Sequence, residues 1–265
     1  MKKPVVKVKF HDEKGSGNSR RRFIKMSGLA FAGSTLLYAC SEDDDFNPGM
    51  KPDPDPTPDP DPTPDPDPEV FDLGSGDVGI LNYAYALEQL EAAFYTEVMN
   101  GSYFSGAVDN EKEIITDLRN HEVIHREFFK TAITAAAGEE MTLPELEFDF
   151  SEAVDFSDRN SVLTTAQLLE DTGVSAYNGA GNLIENPTYL LLAGKIVSVE
   201  ARHASAIADL LDPGSTAFAR DEVLVSIGDS EAAYDKATPP SDVLSAVVGL
   251  DVLQTSFTAD NLPTE

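Results

Sequence analysis

Two short stretches of the chain repeat the pattern Glu-x-x-His, at residues 122–125 and 200–203. Residues three apart lie on the same face of an α-helix, so each stretch directs a carboxylate and an imidazole the same way. Two further glutamates lie inside apolar helical patterns. One glutamate from each of two helices, with Glu-x-x-His from two others, is the ligand set of a carboxylate-bridged metal pair inside a four-helix bundle. The predicted ligands are Glu88, Glu122, His125, Glu170, Glu200 and His203.

The four glutamates share the apolar faces of their predicted helices. Glu122, for example, is in line with Leu118 and Phe129 at helical spacing. An unpaired buried carboxylate is very costly, so such groups must be neutralised, paired or bound to metal. Four carboxylates balance two divalent ions, and the ligand types suit iron or manganese. Few cationic side chains are nearby. They are predicted either to contact the ligand side chains from outside the metal pair or to lie at the surface, and they are Arg119, Arg126 and Arg202.

Three other side chains are candidates to support the ligands. Tyr95 follows Glu88 by seven residues, and Tyr177 follows Glu170 by the same interval. Either these tyrosines hydrogen-bond to ligand carboxylates or they are core aromatics. Glu91 competes with Glu88 as the ligand from the first helix, since it is one turn away on nearly the same face. The spacing to Tyr95 favours Glu88.

The ligand pattern is an internal repeat. Each half has Glu-x6-Tyr followed by Glu-x-x-His, which begins 34 residues after the first glutamate in one half and 30 in the other. Two helix hairpins related by a pseudo-twofold axis would place one metal ion mainly against each half. His121 precedes the first Glu-x-x-His, is off the ligand line and is expected to be exposed.

Apolar residues at 3.6-residue spacing predict four helices, at about residues 77–99, 110–137, 161–184 and 187–211. The connection at 139–160 is much longer than a bundle hairpin and can run the length of the bundle. We therefore predict an all-α, ferritin-like four-helix bundle with one long crossover between its second and third helices. Short C-terminal helices are expected at 215–227 and 241–253, outside the bundle. Apolar crossover residues should pack along the bundle: Leu143, Leu146, Phe148, Phe150 and Phe156.

Residues 1–40 have the features of an export signal. Residues 19–25, Ser-Arg-Arg-Arg-Phe-Ile-Lys, resemble the twin-arginine motif, and the apolar run that follows is too short to span a bilayer. Leu-Tyr-Ala-Cys at 37–40 resembles a lipobox, which implies a lipidated Cys40 and a membrane-anchored lipoprotein, periplasmic or on the outer surface. The alternative is an ordinary cleavage site with an incidental cysteine. His11 belongs to this segment.

Residues 41–74 are predicted to tether the anchor to a folded domain at 75–265. An acidic tract is followed by a Pro-Asp repeat at 52–68, which excludes helix and sheet and favours an extended polyproline II chain. The whole chain has 19 Lys and Arg against 47 Asp and Glu, a net charge of -28. This charge argues against nucleic acid as a partner. A single cysteine excludes an intrachain disulfide.

Three segments carry a family resemblance. Residues 81–95, Leu-Asn-Tyr-Ala-Tyr-Ala-Leu-Glu-Gln-Leu-Glu-Ala-Ala-Phe-Tyr, resemble the first helix of the ferritin-like domain family that includes plant desiccation-related proteins. Residues 118–129 and 196–206 are similar to that family as well. The resemblance covers about residues 75–255. It implies a ferritin-like bundle with a di-iron or di-manganese centre, and it supplies no substrate.

Two classes of function fit these observations. The first is a redox-active dimetal protein that reacts with oxygen or peroxide, as an oxidase, a ferroxidase or a manganese catalase-like enzyme. The second is a non-enzymatic envelope module for stress protection or partner binding, with structural metal or none. Storage in a closed ferritin shell is disfavoured, because a lipid-anchored stalk is awkward in such a shell.

Overall fold

Four long helices dominate the computed structural model, which describes residues 70–226 and 232–263. They are α1 (Gly76–Asn100), α3 (Asp109–Ala137), α4 (Arg159–Ala180) and α5 (Pro187–Leu211). A short α2 (Ser102–Gly106) joins α1 to α3, and α6 (Pro240–Gly249) follows the bundle. The predicted all-α, ferritin-like fold class is therefore confirmed. The predicted signal, Cys40 and the Pro-Asp repeat lie outside the described residues.

The helices begin and end at residues that explain their limits. The Asp158 side chain accepts a hydrogen bond from the backbone of Ser161 at the start of α4, and Asn186 caps α5 ahead of its first-turn proline. Gly138 ends α3 with a φ of 97°, a conformation that favours glycine. Helix α1 packs along α3 and α4 along α5, forming two hairpins. None of the helices in the described residues is long and apolar enough to cross a bilayer.

The crossover between α3 and α4 packs over the outer face of α1. Asn82 on α1 is fully buried; its side chain donates to the Met141 carbonyl (2.8 Å) and accepts from the Leu143 N–H (2.9 Å). Gln89, two turns on, accepts from the Leu146 N–H at 2.8 Å. These amides satisfy backbone groups of an extended segment that would otherwise be buried without partners. The apolar crossover residues pack against the core, as predicted.

The two ends of the described domain meet. Strand β1 (Phe71–Asp72) pairs in parallel with β4 (Phe257–Thr258), and Leu73 is fully buried. The same C-terminal segment bonds to the crossover, where the Asp149 N–H donates to the Val252 carbonyl at 2.8 Å. The folded region therefore begins by residue 71, before the predicted boundary at 75. Its partner strand is far away in sequence, so no local pattern indicates this start.

The predicted helix at 215–227 is wrong. The described part of this segment contains a 3-10 turn, Ala217–Ala219, and strand β2 (Leu224–Val225), which pairs antiparallel with β3 (Tyr234–Asp235). Val223 and Val225 are β-branched and favour extended backbone, and this segment finds its backbone partners in β3. The second predicted C-terminal helix is α6, which ends at Gly249 and not at residue 253.

Candidate metal centre

The six predicted ligand residues come together in the middle of the bundle. Each of the four long helices contributes: α1 and α4 one glutamate each, and α3 and α5 one Glu-x-x-His each. The four glutamates are fully buried, and the two histidines are 9% and 3% exposed. The side chains fall into two overlapping groups. Half-site 1 consists of Glu88, Glu122, His125 and Glu200, and half-site 2 consists of Glu122, Glu170, Glu200 and His203.

In half-site 1, three carboxylates surround Nδ1 of His125. This nitrogen is 2.8 Å from Glu200 Oε1, 3.4 Å from Glu88 Oε2 and 3.5 Å from Glu122 Oε2. The closest of these contacts does not have hydrogen-bond geometry, since Nδ1 of His125 and Oε1 of Glu200 are both without a hydrogen-bond partner. These two atoms are therefore close together, yet neither is satisfied by the other.

Half-site 2 also has three carboxylates around its histidine, but here Nδ1 of His203 forms a hydrogen bond with Glu200 Oε2. Its Nδ1 is 2.7 Å from Glu122 Oε1, 3.2 Å from Glu200 Oε2 and 3.5 Å from Glu170 Oε2. Within each half-site, the candidate ligand atoms all lie within 4.8 Å of one another. Such spacing lets one small ion contact all four atoms of a half-site.

Glu122 and Glu200 belong to both half-sites. Each presents one carboxylate oxygen to His125 and the other to His203. Glu88 and Glu170, in contrast, each contact one histidine. The geometry therefore has two shared carboxylates, each able to bridge two ions, and one terminal carboxylate on each side.

Several polar atoms in the cluster are buried without a hydrogen-bond partner. Such orphaned atoms are rare in proteins, and each calls for an explanation such as an ion. A carboxylate and imidazole donor set suits iron or manganese and does not select between them. The residues present therefore fit metal binding. The orphaned atoms are Glu88 Oε2, both oxygens of Glu122, His125 Nδ1, Glu170 Oε2 and Glu200 Oε1.

The comparison with protein families agrees with this geometry. A family model for the ferritin-like domain matches residues 76–213, which is more than half of the chain and includes all six candidate ligand residues. The chain belongs to the ferritin-like domain family. No curated protein matches it.

The pKa values in this ferritin-like centre reflect crowded buried carboxylates. Burial and the neighbouring Glu200 raise the pKa of Glu88 well above its usual range, and burial raises that of Glu170 to about 8. Burial also opposes ionisation of Glu122, but its contacts with the two histidines outweigh burial and lower its pKa to about 2. Burial lowers the histidine pKa values, yet the surrounding glutamates raise both to about 12. Without metal, bound protons therefore offset the negative charge of the carboxylates.

The two tyrosines hydrogen-bond to ligand carboxylates, which decides between the two interpretations of the sequence. The Tyr95 hydroxyl donates to Glu170 Oε1 at 2.6 Å, and the Tyr177 hydroxyl donates to Glu88 Oε1. Each tyrosine thus reaches the glutamate of the facing helix and not the one seven residues earlier in its own. Each hydrogen bond occupies one carboxylate oxygen and leaves Oε2 directed at a histidine.

Glu91 is buried beside the centre and belongs to neither half-site. It follows Glu88 by three residues, and the repeat-equivalent position after Glu170 is Gly173. A Cβ added at Gly173 would be 3.0 Å from Glu91 Oε1, so the missing side chain leaves the space that this carboxyl fills. Burial and the surrounding carboxylates, Glu122 first among them, raise its pKa well above the usual range. Of the two competing glutamates on α1, Glu88 is therefore the one directed at the cluster.

His121 is exposed, as expected, but it also makes a contact that the sequence did not predict. Its Nδ1 lies 2.9 Å from Nε2 of His203, on a different helix and 82 residues away. The nearby arginines stay outside the cluster: Arg126 pairs with Glu127, and Arg119 donates to Asn120. Within the described residues, no lysine or arginine forms an ion pair with the four ligand glutamates.

Proposed function

We propose that this protein is an exported, membrane-anchored ferritin-like protein whose centre binds two iron or manganese ions and reacts with oxygen or peroxide. The observation that carries the metal proposal is the set of orphaned donor atoms in two overlapping half-sites. Four carboxylates carry four negative charges, and two divalent ions balance them. Metal is the neutralising partner that also satisfies the orphaned lone pairs.

Different side chains would have different roles in holding such a metal pair. Glu122 and Glu200 would help to hold both ions, and His125 and His203 would each hold one. The two tyrosines fix the terminal carboxylates, and the bundle core excludes bulk water. Bound iron or manganese would supply the redox chemistry.

An apolar cavity of about 30 Å³ supports a small reactant. Tyr177 lines the cavity and also donates to Glu88, so it joins the cavity to the centre. A volume of this size holds one or two water-sized molecules, and dioxygen, being small and apolar, suits its walls. Tyr83 also lines it, and the buried Tyr83 hydroxyl has no hydrogen-bond partner.

The metal proposal predicts about two iron or manganese ions per chain. The domain is expressed in medium replete with both metals, and bound metal is counted by elemental analysis. The Glu122→Ala, Glu200→Ala double variant should be helical by circular dichroism yet nearly metal-free. Wild-type protein with metal content near zero, and folding unchanged in the variant, would overturn the proposal.

The reaction with oxygen or peroxide is tested separately from binding. The loaded, reduced protein is mixed with each oxidant, and the consumption of oxidant is recorded. Consumption in wild-type protein and none in the metal-free variant supports the enzyme. Bound metal without consumption favours the non-enzymatic envelope module with a structural site, an alternative consistent with a centre whose most exposed ligand is only 9% exposed.

Membrane anchoring rests on the sequence of residues 1–40, with lipid attached at Cys40. The Cys40→Ser variant should move from the membrane fraction to the soluble fraction of cells that export it, because the thiol that carries the lipid is gone. Immunoblots of the two fractions provide the measurement, with the Ser41→Ala variant as a matched control. A Cys40→Ser protein that still sediments with membranes would contradict the anchor.

A further inference from the structure

The contact between His121 and His203 is an in-plane hydrogen bond. The two ring planes differ by 11°, their centroids are 5.1 Å apart, and the facing nitrogens are 2.9 Å apart. Each nitrogen lies at the edge of its ring. The distance between the centroids is close to the sum of the N···N distance and the two distances from centroid to nitrogen. The two nitrogens therefore lie between the centroids and point at each other. The rings are therefore edge to edge and not stacked face to face.

This hydrogen bond holds Nε2 of His203 outside the half-site and leaves Nδ1 as the nitrogen that faces the carboxylates. Nδ1 of His203 faces the carboxylates of half-site 2, and Nε2 faces Nδ1 of His121. An Nε2–H that donates to His121 leaves Nδ1 of a neutral His203 with its lone pair toward the half-site. Groups that accept the second N–H of a metal-binding histidine fix its tautomer and raise its basicity, and losing them costs 10- to 100-fold in metal affinity.

Half-site 1 has no counterpart to His121. In the internal repeat, the residue before the second Glu-x-x-His is Val199, where the first half has His121. Within the described residues, Nε2 of His125 has no protein hydrogen-bond partner, and it is not among the buried unpartnered atoms, so it is left to solvent. The two halves therefore have equivalent candidate ligands, but only in half-site 2 does a protein side chain hydrogen-bond to the outer nitrogen of the histidine.

We propose that His121 is a positioning residue for His203, and that its hydrogen bond makes half-site 2 the tighter of the two metal sites. The inference rests on the proposed metal function. His121 and Val199 occupy equivalent positions in the two halves, so each can be replaced by the residue of the other half. The His121→Val variant removes the support from half-site 2, and the Val199→His variant offers it to half-site 1.

The test is an anaerobic titration with Co²⁺, followed by its visible absorption, in which the affinities of the two ions are read separately. Wild-type protein should bind in two steps. His121→Val should weaken the tighter step roughly 10- to 100-fold, His121→Gln, which keeps an acceptor, should lose less, and the exposed control Asn120→Ala should be unchanged. Val199→His should tighten the weaker step. The His125→Ala variant should retain its ion more tightly than His203→Ala retains its own.

Equal affinities in wild-type protein and His121→Val would overturn the proposal, as would tighter binding in His203→Ala than in His125→Ala. A separate readout needs no metal. Nitrogen-15 shifts of His121 and His203 in the metal-free protein should show one proton shared between Nδ1 of His121 and Nε2 of His203. Shifts that show no shared proton would overturn the hydrogen bond. Wild-type protein that binds no Co²⁺ overturns the proposed function and the affinity order, while the shifts still test whether His121 positions His203.

Discussion

Glu122→Gln and Glu200→Gln are each expected to lose both metal ions, whereas His125→Ala and His203→Ala each lose one. The two glutamates present one oxygen to each histidine, so both half-sites depend on them. A glutamine side chain keeps the shape but has a single oxygen and no charge, so it cannot bridge two cations. Each histidine serves one half-site only, and its loss leaves the other half-site with all four of its ligand side chains.

Elemental analysis of the four variants after purification measures this difference as ions per chain. Glu113→Gln, at an exposed position on α3, is the matched control and should keep the wild-type content. Circular dichroism establishes that each variant is folded. Two ions retained in Glu122→Gln would contradict the bridging role, and loss of both ions in His125→Ala would contradict the division into half-sites.

The metal-free protein is expected to become less stable as the pH rises, and metal is expected to reverse this trend. Burial raises the pKa of Glu170 from 4.5 to about 8 and raises that of Glu88 well above its usual range. Surrounding glutamates raise the pKa of His125 and His203 from 6.5 to about 12, against the effect of burial. A raised pKa in the folded state means that the stability from the bound proton is complete below the unfolded pKa and is lost as the pH rises through the folded value.

Glu122 has the opposite sign. Its two histidine contacts outweigh burial and lower its pKa to about 2, so its contribution is present above the unfolded value of 4.5 and is lost as the pH falls toward 2. The metal-free domain should therefore be most stable near pH 5. Its melting temperature in the presence of a chelator should fall by roughly 5 °C or more between pH 5.5 and 8.5.

Bound metal requires deprotonated ligands, so the loaded protein gains stability over the same range. At a thousandfold excess of free ion over Kd, each ion adds about 4 kcal/mol to the free energy of unfolding. Two ions should therefore raise the melting temperature by roughly 15 °C or more at pH 8. Differential scanning calorimetry with and without metal measures both trends, and Glu170→Gln should flatten the metal-free one. A metal-free melting temperature that rises from pH 5.5 to 8.5 would refute the assignment of these protons.

The meeting of the six candidate ligands could be predicted from the sequence because helix geometry alone fixes the directions of their side chains. Glu122 and His125 share a face wherever the helix is placed, and the apolar residues in line with them turn that face inward. The length of the crossover then selects the bundle topology. The bounds of the four long helices follow from the same periodicity, since caps such as Asn186 and Gly138 stand where the apolar pattern stops.

The contacts between distant segments could not be predicted in this way. Tyr95 and Tyr177 each hydrogen-bond to the glutamate of the facing helix. Whether a tyrosine at these positions makes this bond or only packs in the core depends on how closely α1 and α4 approach. The contact of His121 with His203 likewise depends on the packing of α3 against α5. Asn82 is a polar residue of a type that is usually exposed on a helix. It is fully buried only because the crossover passes over it.

The meeting of the two ends of the domain also decides how it responds to tension. A pull on the chain before Val70 first reaches β1, which is held by backbone hydrogen bonds to β4 and by the burial of Leu73. The C-terminal segment that holds β1 is itself bonded to the crossover and contributes none of the six ligand residues. The contacts that such a pull meets first therefore lie ahead of α1, apart from the helices that set the distances between the candidate ligands.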